Sequence, residues 1–158
     1  MNADAESTRD LSASFPRAAV RSGVRCADWR EAVRASGELL VATGAASEDY
    51  VDAIVEAVER LGPYIVLAPG IALAHARPED GGLAVGFSLV KLAEPVEFGA
   101  ANNDPVDLVF AFATPDSDQH ITALSALAEF IESGDNLARI RAADNDEELY
   151  RVIEEAYS

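Results

Sequence analysis

The sequence predicts an α/β fold: a single layered domain in which a mixed β-sheet is flanked by helices. Three observations lead to this prediction. The first and last thirds of the chain carry amphipathic helical patterns, whereas the middle third holds short β-branched and aromatic segments bounded by Pro, Gly, Asn or Asp. These middle segments are almost continuously apolar, which is typical of strands covered on both faces. Helices, then strands, then helices around one sheet give an α/β layered domain.

The length and composition suit one domain. The chain has 158 residues, of which 49% are hydrophobic and 25% charged, enough for one core of ordinary size. No apolar stretch reaches the roughly 18 residues of a membrane helix. The beginning, "MNADAESTRD", is acidic and polar, unlike a secretory signal. Residues 1–14 lack periodicity and are expected to form a flexible tail, which leaves residues 15–158 for the domain.

The first third predicts a short strand and two helices. "AAVRSGVRC" is compatible with the strand, and "ADWREAVRASGELLVATG" predicts a helix that begins at Asp28, with Glu31 completing a capping pair, and ends near Gly44. "SEDYVDAIVEAVERLGP" predicts a second helix with Ser47 as its cap. Its apolar face is formed by Tyr50, Ile54 and Val58.

The remaining two thirds predict three strands and three helices. The strands are "YIVLA" (64–68), "GLAVGFSLV" (82–90) and "VDLVFAFA" (106–113). Lys91 is expected in a charged turn, "KLAEPVEFG", after the second of them. The helices are "SDQHITALSALAEFIESG", "DNLARIRAA" and "DNDEELYRVIEEAY".

The charge and the single cysteine restrict the partners and the compartment. The net charge is −16, from 28 acids and 12 bases, which repels nucleic acid and anionic membrane surfaces and attracts a basic protein partner. A plain role in solubility remains the alternative. Cys26 is the only cysteine, so no intrachain disulfide is possible and a cytoplasmic location fits. We expect Cys26 to be a buried bystander, because nothing around it predicts an activated thiolate.

Several kinds of chemistry lack their motifs. Two lone histidines and one distant cysteine do not have the spacing of a metal site. The glycine-rich phosphate loops and the G-x-S-x-G elbow of hydrolases are absent from the sequence. A phosphorylated receiver domain would need acids and a lysine at strand ends. Because Lys91 is expected in a turn, we disfavour that class.

His75 and His120 remain as the candidates for chemistry. In "IALAHA", if extended, Ile71, Leu73 and His75 share one face, which puts His75 at a strand end where ligands of open α/β sheets bind. The alternative is a structural histidine at the edge of the core.

His120 lies in the first or second turn of a helix that Asp116, Ser117 or Asp118 could cap, and it opens the apolar face continued by Leu124, Leu127 and Ile131. The positive end of this helix favours an anion and a neutral imidazole, so the two histidines could hold a phosphoryl group between them. A packed histidine is again the alternative.

Two longer segments carry a family resemblance. "LGPYIVLAPGIALAHARPEDGG" and "DPVDLVFAFATPDSDQHITALSALAEFI" resemble the IIA domain of the bacterial phosphoenolpyruvate-dependent sugar phosphotransferase system. The resemblance is to the mannitol/fructose-type superfamily and, within it, to the ascorbate-type branch. It covers about residues 18–157, and its most specific parts are G-I-A-L-x-H-A-R-P-E and H-I-x-x-L-x-x-L-A.

This resemblance implies a phosphoryl carrier. His75 would receive the phosphoryl group from the phosphocarrier protein HPr, His120 would orient His75 or stabilise the phosphate, and a cysteine of a IIB component would be the next acceptor. The phosphoryl group would travel in sugar uptake, with ascorbate as one candidate, through a histidine-bound intermediate. No metal and no organic cofactor is implied, and homodimer formation is left open.

The chain departs from the family pattern at two places. Ala74 stands where a proline usually precedes the active histidine, and the arginine of the mannitol-like helix has no clear counterpart, although Arg60 is near. Arg77 is the candidate for neutralising the phosphate, since arginine matches phosphate geometry, with an exposed turn residue as the equal alternative. Two other functions stay open: a regulatory phosphocarrier that feeds no transporter, and a degenerate binding module that never carries phosphate.

Overall fold

The computed structural model describes residues 13–157, in which one mixed sheet lies between two layers of helices. Its strands are β1 (Val20–Val24), β2 (Val66–Ala68), β3 (Ile71–Ala74), β4 (Gly86–Val96) and β5 (Val106–Ala113), in the order β1-β4-β5-β3-β2. The pairs β1–β4 and β3–β5 are parallel, and the pairs β4–β5 and β2–β3 are antiparallel. The predicted mixed sheet is confirmed.

The helices are α1 (Trp29–Ala42), α2 (Glu48–Leu61), α3 (Ser117–Glu132), α4 (Gly134–Ala142) and α5 (Asp146–Tyr157). Short 3₁₀ turns cover Arg17–Ala19 and Pro78–Asp80. The tail predicted for residues 1–14 falls almost wholly outside the described residues and stays a prediction, as does the domain boundary at residue 15. Within residues 13–157, no helix is long and apolar enough to cross a membrane.

Alternation along the strands builds two separate cores. On one face, small side chains such as Ala72, Ala74 and Ala111 lie under α1 and α2. On the other face, Leu73 and Phe112 join the apolar sides of α3, α4 and α5. Successive strand residues point to opposite faces, so each short apolar run serves both cores. Helices on both sides of the sheet confirm the predicted layers.

The first two helices begin and end where their capping residues predict. Asp28 Oδ1 accepts a hydrogen bond from the backbone N–H of Glu31 at 3.0 Å, and Gly44, with φ of +83°, follows the last turn of α1. Ser47 occupies the position before α2, but its side chain makes no capping hydrogen bond. The predicted boundaries are therefore confirmed. Ser47 occupies the predicted capping position, but it does not cap the helix with its side chain.

The prediction for Lys91 is wrong. Strand β4 continues through the charged segment to Val96, with Lys91 opposite Leu108 in β5. The Lys91 ammonium donates hydrogen bonds to the carbonyl oxygens of Ile140 (3.2 Å), Arg141 (2.7 Å) and Ala143 (2.7 Å) at the end of α4. The charged residues and Pro95 of this segment are atypical of a strand, so the sequence predicts a turn. In the structure, the carbonyl groups at the end of α4 accept hydrogen bonds from the ammonium, which allows it to lie beside the sheet.

Candidate functional site

His75 lies directly beyond the end of β3. The last residue of that strand, Ala74, is fully buried and pairs with Ala111 of β5. The imidazole ring of His75 stacks on the ring of Phe112, with centroids 5.1 Å apart and 21° between the planes. The strand end thus presents His75 on the same face as Leu73, as its alternation predicts.

Among residues 13–157, the hydrogen bonding of His75 uses one ring nitrogen and leaves the other free. Nδ1 lies 2.8 Å from the carbonyl oxygen of Leu73, an acceptor only, so Nδ1 carries the hydrogen and Nε2 keeps its lone pair. Burial lowers the pKa of His75, the Leu73 carbonyl acts in the opposite direction, and the charge of His120 lowers it further. The imidazole is therefore held in its neutral, nucleophilic form.

His120 lies in the first turns of α3, as predicted. Asp116 caps this helix: its Oδ1 accepts from the N–H of Gln119 at 2.8 Å, and its carbonyl accepts from the N–H of His120 at 3.0 Å. The His120 ring centroid is 5.7 Å from that of His75 and 5.0 Å from that of Phe112. The structure thus brings together two histidines that are 45 positions apart in the sequence.

One nitrogen of His120 has an unusual environment. Its Nδ1 atom is buried and has no hydrogen-bond partner among the described residues. A bare acceptor is the less costly state for such a buried nitrogen, because an orphaned N–H is rare in proteins. This favours the tautomer with the hydrogen on Nε2, which gives the other side of the ring a donor.

Both histidines line one open cavity of about 570 Å³. Its rim carries three exposed apolar side chains, Leu61, Tyr64 and Ile121. The lining also includes charged residues of both signs: Arg60, Arg77, Glu56, Glu79 and Asp80. A cavity this open, with an apolar rim around a nucleophile, can receive a group that another protein carries.

Arg77 lies at this cavity but is engaged with acids. Its side chain is 75% exposed, and its Nε and Nη2 atoms each lie 3.3 Å from an Asp80 carboxylate oxygen, with Glu79 at 3.5 Å. Hydrogen bonding to Asp80 raises the pKa of the guanidinium. Arg60 lines the same cavity and makes no ion pair within the described range.

Two tyrosine hydroxyls, which the sequence pattern did not assign, reach the backbone beside His75. Tyr64 donates to the carbonyl of His75 at 3.1 Å, and the hydroxyl of Tyr50 accepts from the N–H of Ala76 at 3.1 Å. The periodicity of α2 places Tyr50 correctly on its apolar face but carries no signal for a hydrogen bond to a residue 26 positions away.

Cys26 lies apart from this chemistry. It does not line the cavity, and it is half-buried, so the expectation of a buried side chain is wrong. Burial, together with the charges of Glu31 and Asp28, raises the pKa of the thiol. The thiol therefore stays protonated, in agreement with the predicted bystander role.

Comparisons with known proteins agree with one another. The family model described as "Phosphoenolpyruvate-dependent sugar phosphotransferase system, EIIA 2" matches residues 14–156. The ascorbate-specific PTS system EIIA component of Escherichia coli K12 is 38% identical over 136 residues, covering 85% of this chain and 88% of the relative.

Solved structures give the same picture. The cryptic mannitol-specific phosphotransferase enzyme IIA CmtB of Escherichia coli is 35% identical with a TM-score of 0.84, over 92% of this chain and 98% of that one. The mannitol enzyme IIA of the same organism, solved in complex with phosphorylated enzyme IIB, is 26% identical with a TM-score of 0.74, over 88% and 97%.

Proposed function

Because the chain belongs to the EIIA 2 family of the phosphoenolpyruvate-dependent sugar phosphotransferase system, we propose that His75 accepts a phosphoryl group from HPr and passes it to a cysteine of a IIB component. Family membership makes the chain a phosphotransferase component of sugar uptake and confirms the resemblance seen in the sequence. His75 is supported as the carrier by its position in the lining of an open cavity and by its Nε2 atom, which has no hydrogen-bond partner among the described residues, while Nδ1 is hydrogen-bonded to the carbonyl of Leu73.

The transfer is a pair of displacements at phosphorus. The Nε2 lone pair attacks phosphorus, an N–P bond forms, and the bond from phosphorus to the donor's nitrogen breaks, so the donor side chain regains its lone pair. In the second step a cysteine thiolate of IIB attacks the same phosphorus and the N–P bond to His75 breaks. Little acid–base chemistry is needed, so positioning and charge stabilisation decide the rate.

His120 supports this reaction without forming a bond. Its ring lies beside that of His75 at the positive end of α3, and an Nε2–H donor would contact the oxygens of the transferred group. Such a donor stabilises the negative charge that develops on these oxygens during transfer. His120 is therefore a stabilising residue, and His75 carries the covalent bond.

Arg77 is the proposed cation for the phosphate. Its partners Asp80 and Glu79 are on the same turn, and solvent screens the ion pairs of a guanidinium that is 75% exposed. A dianionic phosphoryl group can therefore replace them with little loss, and the guanidinium fork matches its oxygens. Arg60, which makes no ion pair within residues 13–157, is the comparison cation at the same cavity.

The proposal also specifies a transported compound, an acceptor and a cellular location. We extend ascorbate uptake to this chain from the name of its 38% identical relative. IIB is the acceptor by analogy with the mannitol IIA–IIB complex. A cytoplasmic location, and the absence of a metal or organic cofactor, stay predictions from the sequence.

Two alternatives are separated by simple observations. For a regulatory phosphocarrier we expect regulator genes beside the coding sequence, whereas a transport role requires genes for IIB and a membrane component. A degenerate binding module takes up no phosphate at all.

The decisive experiment is incubation of the protein with phosphoenolpyruvate, enzyme I and HPr, followed by detection of an acid-labile phosphate. We expect one phosphoryl group on the wild-type chain and none on His75→Ala. An unlabelled wild-type protein beside a labelled HPr would contradict the proposal.

A further inference from the structure

The backbone hydrogen-bond ladder between β3 and β5 ends at Ala74, one residue before His75. The parallel register pairs Ile71–Ala74 with Leu108–Ala111, so the backbone of His75 and Ala76 lies beyond the last pair. Buried backbone groups need partners, and here the neighbouring strand does not supply them through the sheet. The side chains that supply these hydrogen bonds in place of β5 therefore determine how rigidly the backbone of His75 is held.

Tyr50 supplies the first replacement from the buried face of α2. Its hydroxyl accepts from the N–H of Ala76 at 3.1 Å and donates its hydrogen to the carbonyl of Phe112 at 2.8 Å. The carbonyl of Ala76, at 3.2 Å, is the second acceptor within reach of the same hydrogen. The side chain of Tyr50 is fully buried, so no water competes for these bonds.

The position of the Tyr50 hydroxyl links the two residues that frame the imidazole. Ala76 is the residue after His75, and Phe112 is the residue whose ring stacks on it at 5.1 Å. One hydroxyl thus joins the end of β3 to the end of β5 at the level where the histidine leaves the sheet.

Tyr64, in the cavity lining, supplies the second replacement. Its hydroxyl donates to the carbonyl of His75 at 3.1 Å, and its ring meets the imidazole edge-on at 5.8 Å with 81° between the planes. Tyr64 is 38% exposed at the cavity rim, so its bond is weaker than those of Tyr50 but closer to the reacting ring.

We propose that Tyr50 and Tyr64 are positioning residues for phosphoryl transfer, whose hydroxyls hold the backbone of residues 75 and 76 where the strand ladder has ended. This inference rests on the proposed function of His75. With both bonds in place, the His75 backbone keeps Nδ1 within reach of the Leu73 carbonyl at 2.8 Å, and Nε2 alone is left to react. With either bond lost, the imidazole gains rotational freedom and the reactive geometry is populated less often.

The test uses Tyr64→Phe and Tyr50→Phe, which keep the rings and remove only the hydroxyls. Tyr150→Phe in α5 is the matched control, because Tyr150 is a half-buried tyrosine that does not line the cavity. Transfer is measured in single turnovers over a range of phospho-HPr concentrations, which separates the maximal rate from the half-saturating concentration. Nitrogen NMR of the unphosphorylated proteins reports whether His75 keeps its Nδ1–H tautomer.

We expect Tyr64→Phe to lower the maximal rate several-fold and Tyr50→Phe to lower it about tenfold or more. The half-saturating concentration should stay at its wild-type value, because both rings and the rim remain. The His75 nitrogen signals should move towards a tautomer mixture in both variants, and Tyr150→Phe should match wild type. If Tyr50→Phe fails to fold, Tyr64→Phe decides the question alone.

An unchanged maximal rate and unchanged nitrogen signals in Tyr64→Phe would overturn the proposal. A loss confined to the half-saturating concentration would also overturn it, since that result assigns the hydroxyl to partner docking. A wild-type protein that takes no phosphate would instead contradict the proposed function, and the NMR comparison would still decide whether the two hydroxyls hold the imidazole.

Discussion

The Nδ1 atom of His75 lies 2.8 Å from the carbonyl oxygen of Leu73, two residues earlier in the same chain. This bond uses the hydrogen of the neutral imidazole and leaves the lone pair on Nε2. Phosphate should therefore be found on Nε2. Phosphorus and nitrogen NMR of the phosphorylated protein identify the bonded nitrogen, and a stable Nδ1 phosphate would contradict this reading of the site.

The two histidines should differ sharply when each is replaced. His75→Ala should abolish phosphoryl acceptance and keep the fold, because His75 supplies the nucleophile. His120→Ala should still accept phosphate, but roughly 10²-fold more slowly, because it loses the Nε2–H donor that matters in transfer alone. Rates of label transfer from HPr measure both effects, with circular dichroism as the check on folding. Phosphate on residue 120 of the wild type would reverse the two roles.

Phosphoryl acceptance should depend on pH through His75. Burial first and the charge of His120 second lower its pKa from the usual 6.5, so the neutral form persists below that value. The rate should be level above pH 6.5 and fall only with further acidification. An NMR titration of the His75 ring should give a midpoint below 6.5, and His120→Gln should move that midpoint upwards. A midpoint above 6.5 in the wild type would contradict the assigned environment.

The same pKa affects stability with a defined sign. Below pH 6.5 the unfolded chain binds a proton at His75 that the folded protein resists, so the free energy of unfolding falls as the pH drops from 6.5 towards the lowered folded pKa. Denaturant unfolding above and below pH 6.5 should show this loss in the wild type. The loss should be smaller in His75→Gln, whose side chain does not titrate.

The guanidinium of Arg77 should contribute to the rate of phosphoryl acceptance, although it is paired with Asp80 and Glu79 in the unphosphorylated protein. Arg77→Ala should slow phosphoryl acceptance several-fold, because a phosphate that replaces Asp80 and Glu79 would lose its bidentate partner. Arg60→Ala, at the same cavity, is the matched comparison. A larger loss in Arg60→Ala than in Arg77→Ala would transfer the neutralising role to Arg60.

The sequence predicts the position of the two histidines well because periodicity carries that information. Strand alternation places His75 on the Leu73 face, and the helical repeat places His120 at the start of the stripe that includes Leu127. One pattern ends and the other begins at the same end of the sheet. The two rings therefore meet there, with centroids 5.7 Å apart.

The features that the sequence does not predict are contacts between distant polar atoms. Tyr50 has the same apolar periodicity whether or not its hydroxyl reaches Ala76 and Phe112. Lys91 is placed in a turn by its charged neighbours, but its ammonium binds carbonyls about 50 positions away. Such bonds depend on where two elements meet after packing, which no local pattern records.

Lys91 gives a prediction for stability. Its ammonium donates three hydrogen bonds to carbonyls at the end of α4, where a helix leaves acceptors unpaired and favours a cation. Lys91→Met should lower the free energy of unfolding by about 2–3 kcal/mol, the value of one or two charge-assisted bonds lost.

The control for Lys91 is an exposed cation on the same protein. Arg25 and Glu94 are each 82% exposed and 3.9 Å apart, so Arg25→Met should change the free energy of unfolding by less than about 1 kcal/mol. Equal effects of the two substitutions in denaturant unfolding would show that the bonds of Lys91 contribute nothing particular.

The last prediction concerns encounter with HPr. The net charge of −16 should steer a basic HPr surface towards the protein, so the association rate should fall as salt rises. Acids such as Glu56 and Glu79 lie at the cavity itself, among the apolar rim of Leu61, Tyr64 and Ile121. Exposed charges are screened beyond about 10 Å at ~0.1 M salt, whereas apolar contact is not, so the dissociation rate should change much less.

A stopped-flow salt series with the cognate HPr measures both rates. Glu56→Gln should lower the association rate at low salt more than Glu154→Gln, an exposed acid on α5 that does not line the cavity. Ile121→Ser, which removes part of the rim, should instead raise the dissociation rate at every salt concentration. An association rate that stays constant from low to physiological salt would mean that the acidity serves solubility and does not contribute to recognition.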